Sequence, residues 1–367
     1  MRESEREEVQ KKKIGRVILV FIALLVIISN GSIRSKLKEF ISNNNGELES
    51  KMQIEVNLTQ NADMDILNDK VVLVNDTTIS TYDLDGDAKN IAQIDNSSIV
   101  KIKNEKIYTV NKANGRIKVF DIDGELIWEY ELNKSINNIK VGDSLLTVIS
   151  TSENGNSILD IFNNSGKHLI KEQAENGQVV SVDFLNETNE YLTSIIKVDE
   201  SSLISSLSKH SLSGEMVWED SFEDEIIQEV VATNKGTIIL ITDKKIYCIT
   251  KNKELLWNRS IDGDIWDVAV DTEQGKIIVL TGGNKGYLES IDFDGRTEYR
   301  IKVNTEYSKI KIAGKNILLY GGDKIIGISS GDQYMEHNFS GDIKDIELSN
   351  KYIYVLLQDK IKIMKRV

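Results

Sequence analysis

The chain has 367 residues, 40% hydrophobic and 7% aromatic, with 45 Lys/Arg against 58 Asp/Glu for a net charge of −13. This is the composition of a globular protein, not of a disordered or collagen-like one, and a single cysteine excludes an intrachain disulfide framework. The acidic excess lies beyond residue 50, where 36 basic residues face 51 acidic ones; such a surface repels nucleic acid and anionic lipid, so no nucleic-acid partner is expected.

Residues 1–13 form a charged head, expected in the cytoplasm. Residues 17–28 are an unbroken apolar run that extends over 14–33, about 20 residues, long enough to span a bilayer as a helix. Lys11, Lys12, Lys13 and Arg16 precede the run closely, and Arg34, Lys36 and Lys38 follow it. The positive-inside rule keeps the N-terminus in the cytoplasm and sends the rest of the chain outside, anchored to the cell membrane by one pass. A cleaved signal peptide with its site at Ser29-Asn30-Gly31 is the alternative. Residues 34–51 read as a linker, broken by Asn43-Asn44-Asn45-Gly46.

From residue 52 onward only strands are expected. Gln53-Ile54-Glu55-Val56-Asn57-Leu58 is one alternating strand without a local partner. Units of four short strands follow, the clearest running from Ile99 to Tyr130, with turns at Asn104, Asn114-Gly115 and Asp123-Gly124. The turn into the fourth strand recurs as Asp83-Leu84-Asp85-Gly86, Asp121-Ile122-Asp123-Gly124, Asn163-Asn164-Ser165-Gly166, Ser211-Leu212-Ser213-Gly214 and Asp292-Phe293-Asp294-Gly295, and has drifted to Lys251-Asn252-Lys253-Glu254 in one unit. An aromatic follows it at Trp128, Trp218, Trp257 and Tyr299. Units begin near Asp65, Ile99, Asn137, Val179, Ile226, Ile265, Lys309 and Ile343. An all-strand repeat of this period is a β-propeller, here all-β with about eight four-stranded blades, seven being the alternative. The last unit has room for about three strands, so the strand at residues 53–58 is expected to complete it and remove an open edge. In the unit from Val179 to Phe222 an extended hairpin is expected around Asp199-Glu200-Ser201, as a place for partner contact or neutral loop growth.

The Asp-x-x-Gly-x-x-x-Trp phrase resembles the blade signature of quinoprotein-type (PQQ-like) propellers. Joined to an N-terminal anchor, it is similar to an uncharacterised Firmicutes family, a domain of unknown function common in clostridia, over residues 52–367. The resemblance implies that Trp128, Trp218 and Trp257 pack between blades as scaffold. Quinoprotein dehydrogenases also need a calcium site, a catalytic Asp and often a vicinal disulfide; with Cys248 alone, that disulfide cannot form.

No catalytic, cofactor-binding or metal-ligating residue is assigned from the sequence. Asp83, Asp85, Asp121 and Asp123 do not have EF-hand spacing, because the Gly comes fourth and strands flank the loop. His168, His210 and His337 fall in different units without paired spacing and are expected on surface loops. Gly282-Gly283-Asn284-Lys285-Gly286 and Gly321-Gly322-Asp323 lie between strands and read as hairpin turns, not phosphate loops. The leading expectation is a non-catalytic, membrane-anchored scaffold that binds a protein or peptide with its propeller. The alternatives are a cell-envelope hydrolase or lyase with acidic residues in the axial pocket, or a quinone-cofactor protein.

Overall fold

The computed structural model describes residues 48–366 except 60–61, 96, 175–176, 186–188, 200–201, 284 and 350. The expected anchor, and the Asn43 to Gly46 break after it, lie outside the described residues. Among those described, no helix is long and apolar enough to cross a membrane.

The described residues form eight four-stranded antiparallel sheets. Blades 1 to 7 occupy residues 63–93, 98–131, 136–173, 178–223, 227–260, 264–303 and 309–338, each a simple meander. Alternating β-branched and aromatic residues with Gly, Asn or Asp at the turns account for the meanders. The extended hairpin of blade 4 is present as two ten-residue strands, Glu190–Asp199 and Ser202–Ser211.

Blade 8 takes three strands from the C-terminus, Asp345–Leu348, Tyr352–Leu356 and Lys360–Arg366, and its outermost strand, Leu48–Glu55, from the N-terminus. That strand begins at Leu48, inside the segment expected to be linker. It pairs from Leu48 with Arg366 to Glu55 with Lys360, and the Val56 amide donates to the Asp359 carbonyl at 2.9 Å. Ile54 is buried, and Met52, Val56 and Leu58 pack with it against Met64, Val71, Tyr354 and Ile361. The closing strand therefore knits blade 8 and also packs on blade 1.

The interior is a ring of eight apolar clusters, one at each junction between neighbouring blades. Ile278, Leu280 and Leu288 of blade 6 meet Ile310, Leu319 and Ile326 of blade 7, for example. Val110 and Val119 of blade 2 likewise meet Leu146 and Phe162 of blade 3. The second and third strands carry the most buried side chains, such as the run from Leu145 to Ser150. The first strands of neighbouring blades approach one another around the axis, as do those of blades 4 and 5, 6 and 7, and 8 and 1.

Deleting residues 48–55 bares the edge of Lys360–Arg366 and removes Ile54 from its cluster. Truncation of a buried Ile alone costs about 2–5 kcal/mol, so the deletion is expected to lower the melting temperature by several degrees and to promote self-association through the bared edge. Thermal unfolding and light scattering test this; an unchanged transition contradicts closure as a stabilising element.

Candidate functional site

The recurring phrase joins blades. Trp128 of blade 2 donates its indole Nε1–H to the Asn164 carbonyl of blade 3 at 3.2 Å. Trp218 of blade 4 does the same to Lys251 of blade 5 at 3.1 Å, and Trp257 of blade 5 to Phe293 of blade 6 at 2.8 Å. Each acceptor is the first of the four residues that link the third and fourth strands of the next blade. The Gly of that turn lies flat on the preceding aromatic: a Cβ on Gly166 would stand 2.7 Å from Trp128, and one on Gly295 2.8 Å from Trp257. Both glycines also have positive φ, and Lys253 occupies the equivalent position with φ 76°, so the drifted turn runs from Thr250 to Lys253, one residue earlier than expected. All three tryptophans are half-buried and act as inter-blade pins.

The turn carboxylates are taken up by their own backbone. Asp121 Oδ1 accepts the amides of Asp123 and Glu125 at 2.9 and 2.8 Å, and Asp83 Oδ1 those of Asp85 and Asp87, both at 2.9 Å. This is Asx-turn chemistry.

Two cavities lie along the axis. One, of about 370 Å³, is lined by first-strand residues of blades 3 to 6, including Lys140, Ser181, Glu229, Trp266 and Asp267. Asp183, in the strand that supplies Ser181, stands 3.9 Å from Lys140 and accepts the Ala232 amide of blade 5 at 2.7 Å. Asp267 accepts the Ile310 amide of blade 7 at 2.8 Å, and Ser181 Oγ the Val230 amide at 3.2 Å. These side chains therefore link neighbouring first strands. Burial raises the carboxyls of Asp183 and Glu229 above their usual range, with Lys140 opposing.

The second cavity, of about 190 Å³, is lined by blades 1, 2, 7 and 8, including Asp63, Asp65, Lys101, Lys311, Asp345 and Glu347. Lys311 Nζ lies 2.5 Å from Glu347 and 3.8 Å from Asp345. Burial pushes the Glu347 carboxyl up to about 7 although Lys311 pulls it down. Burial also raises Asp65 and Asp345, with Lys311 again opposing. Both axial cavities are thus lined by groups of mixed sign, and Lys140 and Lys311 each face more than one carboxylate.

The histidines are not on surface loops, contrary to the expectation from their isolated spacing. His168 lies in the strand His168–Gln173, His210 in Ser202–Ser211 and His337 in Asp332–Asn338. The alternation of those strands turns them onto packed faces. His168 Nε2 stands 3.0 Å from the buried Asp160, which also pairs with Lys134. His337 packs edge-on against Phe339.

His210 is 3% exposed and stacks on Tyr191. Its Nε2 lies 2.8 Å from Ser208 Oγ and its Nδ1 3.3 Å from Oε1 of Glu172 in blade 3, whose Oε2 accepts the Tyr191 hydroxyl. Ser208, His210 and Glu172 share the order of a hydrolytic triad. Ser208 is 1% exposed and hydrogen-bonded to Thr193 at 2.7 Å; its Oγ presents no face to a substrate. Burial lowers the imidazole of His210 and raises the Tyr191 phenol. The cluster is a polar seam holding blade 3 to blade 4. The two-residue spacing of Ser208 and His210 on a strand was the available signal for it; the Glu172 partner, 38 residues away, had none.

Residues 42–366 match the family of unknown function DUF5711, and the chain belongs to that family. No curated protein matches it in sequence. In structure it is similar to BamB from Moraxella catarrhalis, with a TM-score of 0.59 and 11% identity over 87% of this chain and 100% of that one. It is also similar to a eukaryotic initiation factor, with a TM-score of 0.57 and 12% identity over 85% of this chain and 84% of that one. At such identities the likeness is one of fold.

Both the pins and the axial carboxylates have measurable consequences for stability. Gly295→Ala is expected to cost about 2 kcal/mol, because its Cβ meets Trp257 and its φ disfavours a side chain. Combined with Trp257→Ala the two losses should fall short of their sum, since the clash has gone; strict additivity in denaturant unfolding refutes the pin. For Glu347, a folded pKa raised above the unfolded one means that the folded state holds the extra proton between pH 4.5 and about 7. The stability this residue supports is therefore present below that window and falls as pH rises through it, by about 3 kcal/mol at most. Glu347→Gln should flatten that fall; equal pH dependence of both proteins in denaturant unfolding would contradict it.

Proposed function

We propose that this protein is a non-catalytic scaffold, anchored to the cell membrane by residues 14–33, whose extracytoplasmic propeller holds a protein or peptide partner. The observation that carries the binding role is the rim. The fourth strands of blades 2, 4 and 5 expose apolar pairs immediately before each Trp: Leu126 and Ile127, Met216 and Val217, Leu255 and Leu256, all 44–57% exposed. These strands are sheet edges, with backbone groups turned outward, and an extended peptide adds to such an edge while apolar side chains grip it. Six large apolar residues at recurring edge positions are more than scattered surface hydrophobicity. The axial groups support the same reading, because their carboxylates are engaged by lysines and neighbouring amides. The anchor is supported by the length of its apolar run and its basic flanks.

One experiment tests both parts. Leu255→Cys is introduced into the full chain in its native cells; Cys248 is fully buried, so the new thiol is the accessible one. A membrane-impermeant maleimide-benzophenone should label it in intact cells and, on illumination, yield a discrete adduct of higher mass that Leu256→Glu abolishes. Labelling only after lysis overturns the orientation. Labelling without an adduct here and at Ile127→Cys and Val217→Cys overturns the binding role.

A further inference from the structure

Three of the four tryptophans are pins; the fourth stands outside the repeating phrase. Trp266 lies in the first strand of blade 6 and lines the axial cavity of about 370 Å³. A Cβ on Gly282, in the neighbouring strand, would fall 1.6 Å from its indole. Gly282 does not have positive φ, so its backbone does not call for glycine; the missing side chain makes room for Trp266.

The backbone around this cavity departs from the rest of the ring. The first strands of blades 3, 4, 5 and 6 each carry a one-residue bulge against the second strand, at Asn137, Val180, Gln228 and Trp266. In blades 7, 8, 1 and 2 the same pairing runs in regular register. A bulge re-aims the side chain it carries, and Val180, Gln228 and Trp266 all line the cavity. The cavity of the regular half is smaller, has no aromatic lining residue, and holds Lys311 between Glu347 and Asp345.

The neighbours of the lining groups decide what is left for a ligand. Lys140 faces both Asp183 and Glu229, so neither a cation nor an anion would meet an unopposed charge. Asp267 engages the Val268 and Ile310 amides, one with each oxygen. Ser181 Oγ accepts the Val230 amide at 3.2 Å and Asn138 Oδ1 the Ile139 amide at 2.8 Å, which leaves a hydroxyl proton and an amide NH2 to donate. Gln228 both donates and accepts, and a Glu229 carboxylate accepts. Donors and acceptors are thus mixed around one indole. Ligand hydroxyls, each a donor and an acceptor, match such a set, and the C–H face of a sugar ring matches the indole. The volume falls within the range of small-molecule sites.

We propose that the axial cavity of blades 3 to 6 is a binding site for a neutral, hydroxyl-rich ligand of the saccharide class. The site lies on the axis, apart from the rim edges, and neither depends on the other.

The full chain in nanodiscs, labelled with 5-fluorotryptophan, gives one fluorine resonance for each tryptophan, and Trp266→Phe identifies that of Trp266. The probes are glucose, galactose, N-acetylglucosamine and their β-linked disaccharides, with spermidine and citrate as charged comparators. At least one saccharide should shift the Trp266 resonance saturably and leave the three pin resonances in place. Gln228→Ala, at an exposed position, should weaken that binding about fivefold or more with an unchanged melting temperature. Glu229→Gln, which keeps an acceptor, should bind within about threefold of the native chain. No shift of the Trp266 resonance with any saccharide overturns the proposal. So does an equal shift of all the resonances, native binding by Gln228→Ala, loss of binding in Glu229→Gln, or saturable binding of spermidine or citrate in place of the saccharides.

Discussion

Closure of the ring is the constraint on which the rest depends. Each blade buries its apolar residues only against its neighbours, so each of the eight junction clusters needs both of its blades in place. A gap would expose the faces of two blades and two bare edges at once. The chain meets this by splitting blade 8 between its ends: Leu48–Glu55 pairs with Lys360–Arg366, and contacts nearly the whole sequence apart become local. Such long-range pairing is entropically costly to form, but it ties the two ends of the propeller into a single sheet.

Within the ring, the junctions are fastened at three radii. Near the axis, Asp183, Ser181 and Asp267 accept amides from the next first strand. Midway lie the aliphatic clusters and, between blades 3 and 4, the buried seam of Glu172, Tyr191, Ser208 and His210. Toward the rim, tryptophans are pinned beneath the turn of the following blade. Polar contacts at the axis and seam are directional, and so favour one relative placement of the blades; the aliphatic layer supplies most of the burial. A ring fastened in this way holds its blades in one relative arrangement.

The departures from the repeat are as informative as the repeat. Blade 4 is longer at one hairpin, and blade 7 is shorter at one turn. The first adds edge; the second sets Tyr299 on Gly331 where other junctions set Trp on Gly. The first is a change in strand length and the second in turn length.

The sequence by itself determined the blade architecture. Period-two alternation sets which face of each strand is buried, and Asn-Gly, Asp-Gly and Asp-x-x-Gly place the turns; both are local signals. It also pointed to Trp128, Trp218 and Trp257 as scaffold and to an N-terminal closing strand, although that strand starts at Leu48, because the charged Glu47, Glu49 and Lys51 hide its pairing. Only the tertiary structure decided what meets across blades. The burial of His210, its placement between Ser208 and Glu172, the gathering of Asp65, Lys311, Asp345 and Glu347 around one cavity, and the packing of Tyr299 on Gly331 all join residues from separate units. No spacing encodes such meetings, because they arise when a flat succession of strands is bent into a closed ring.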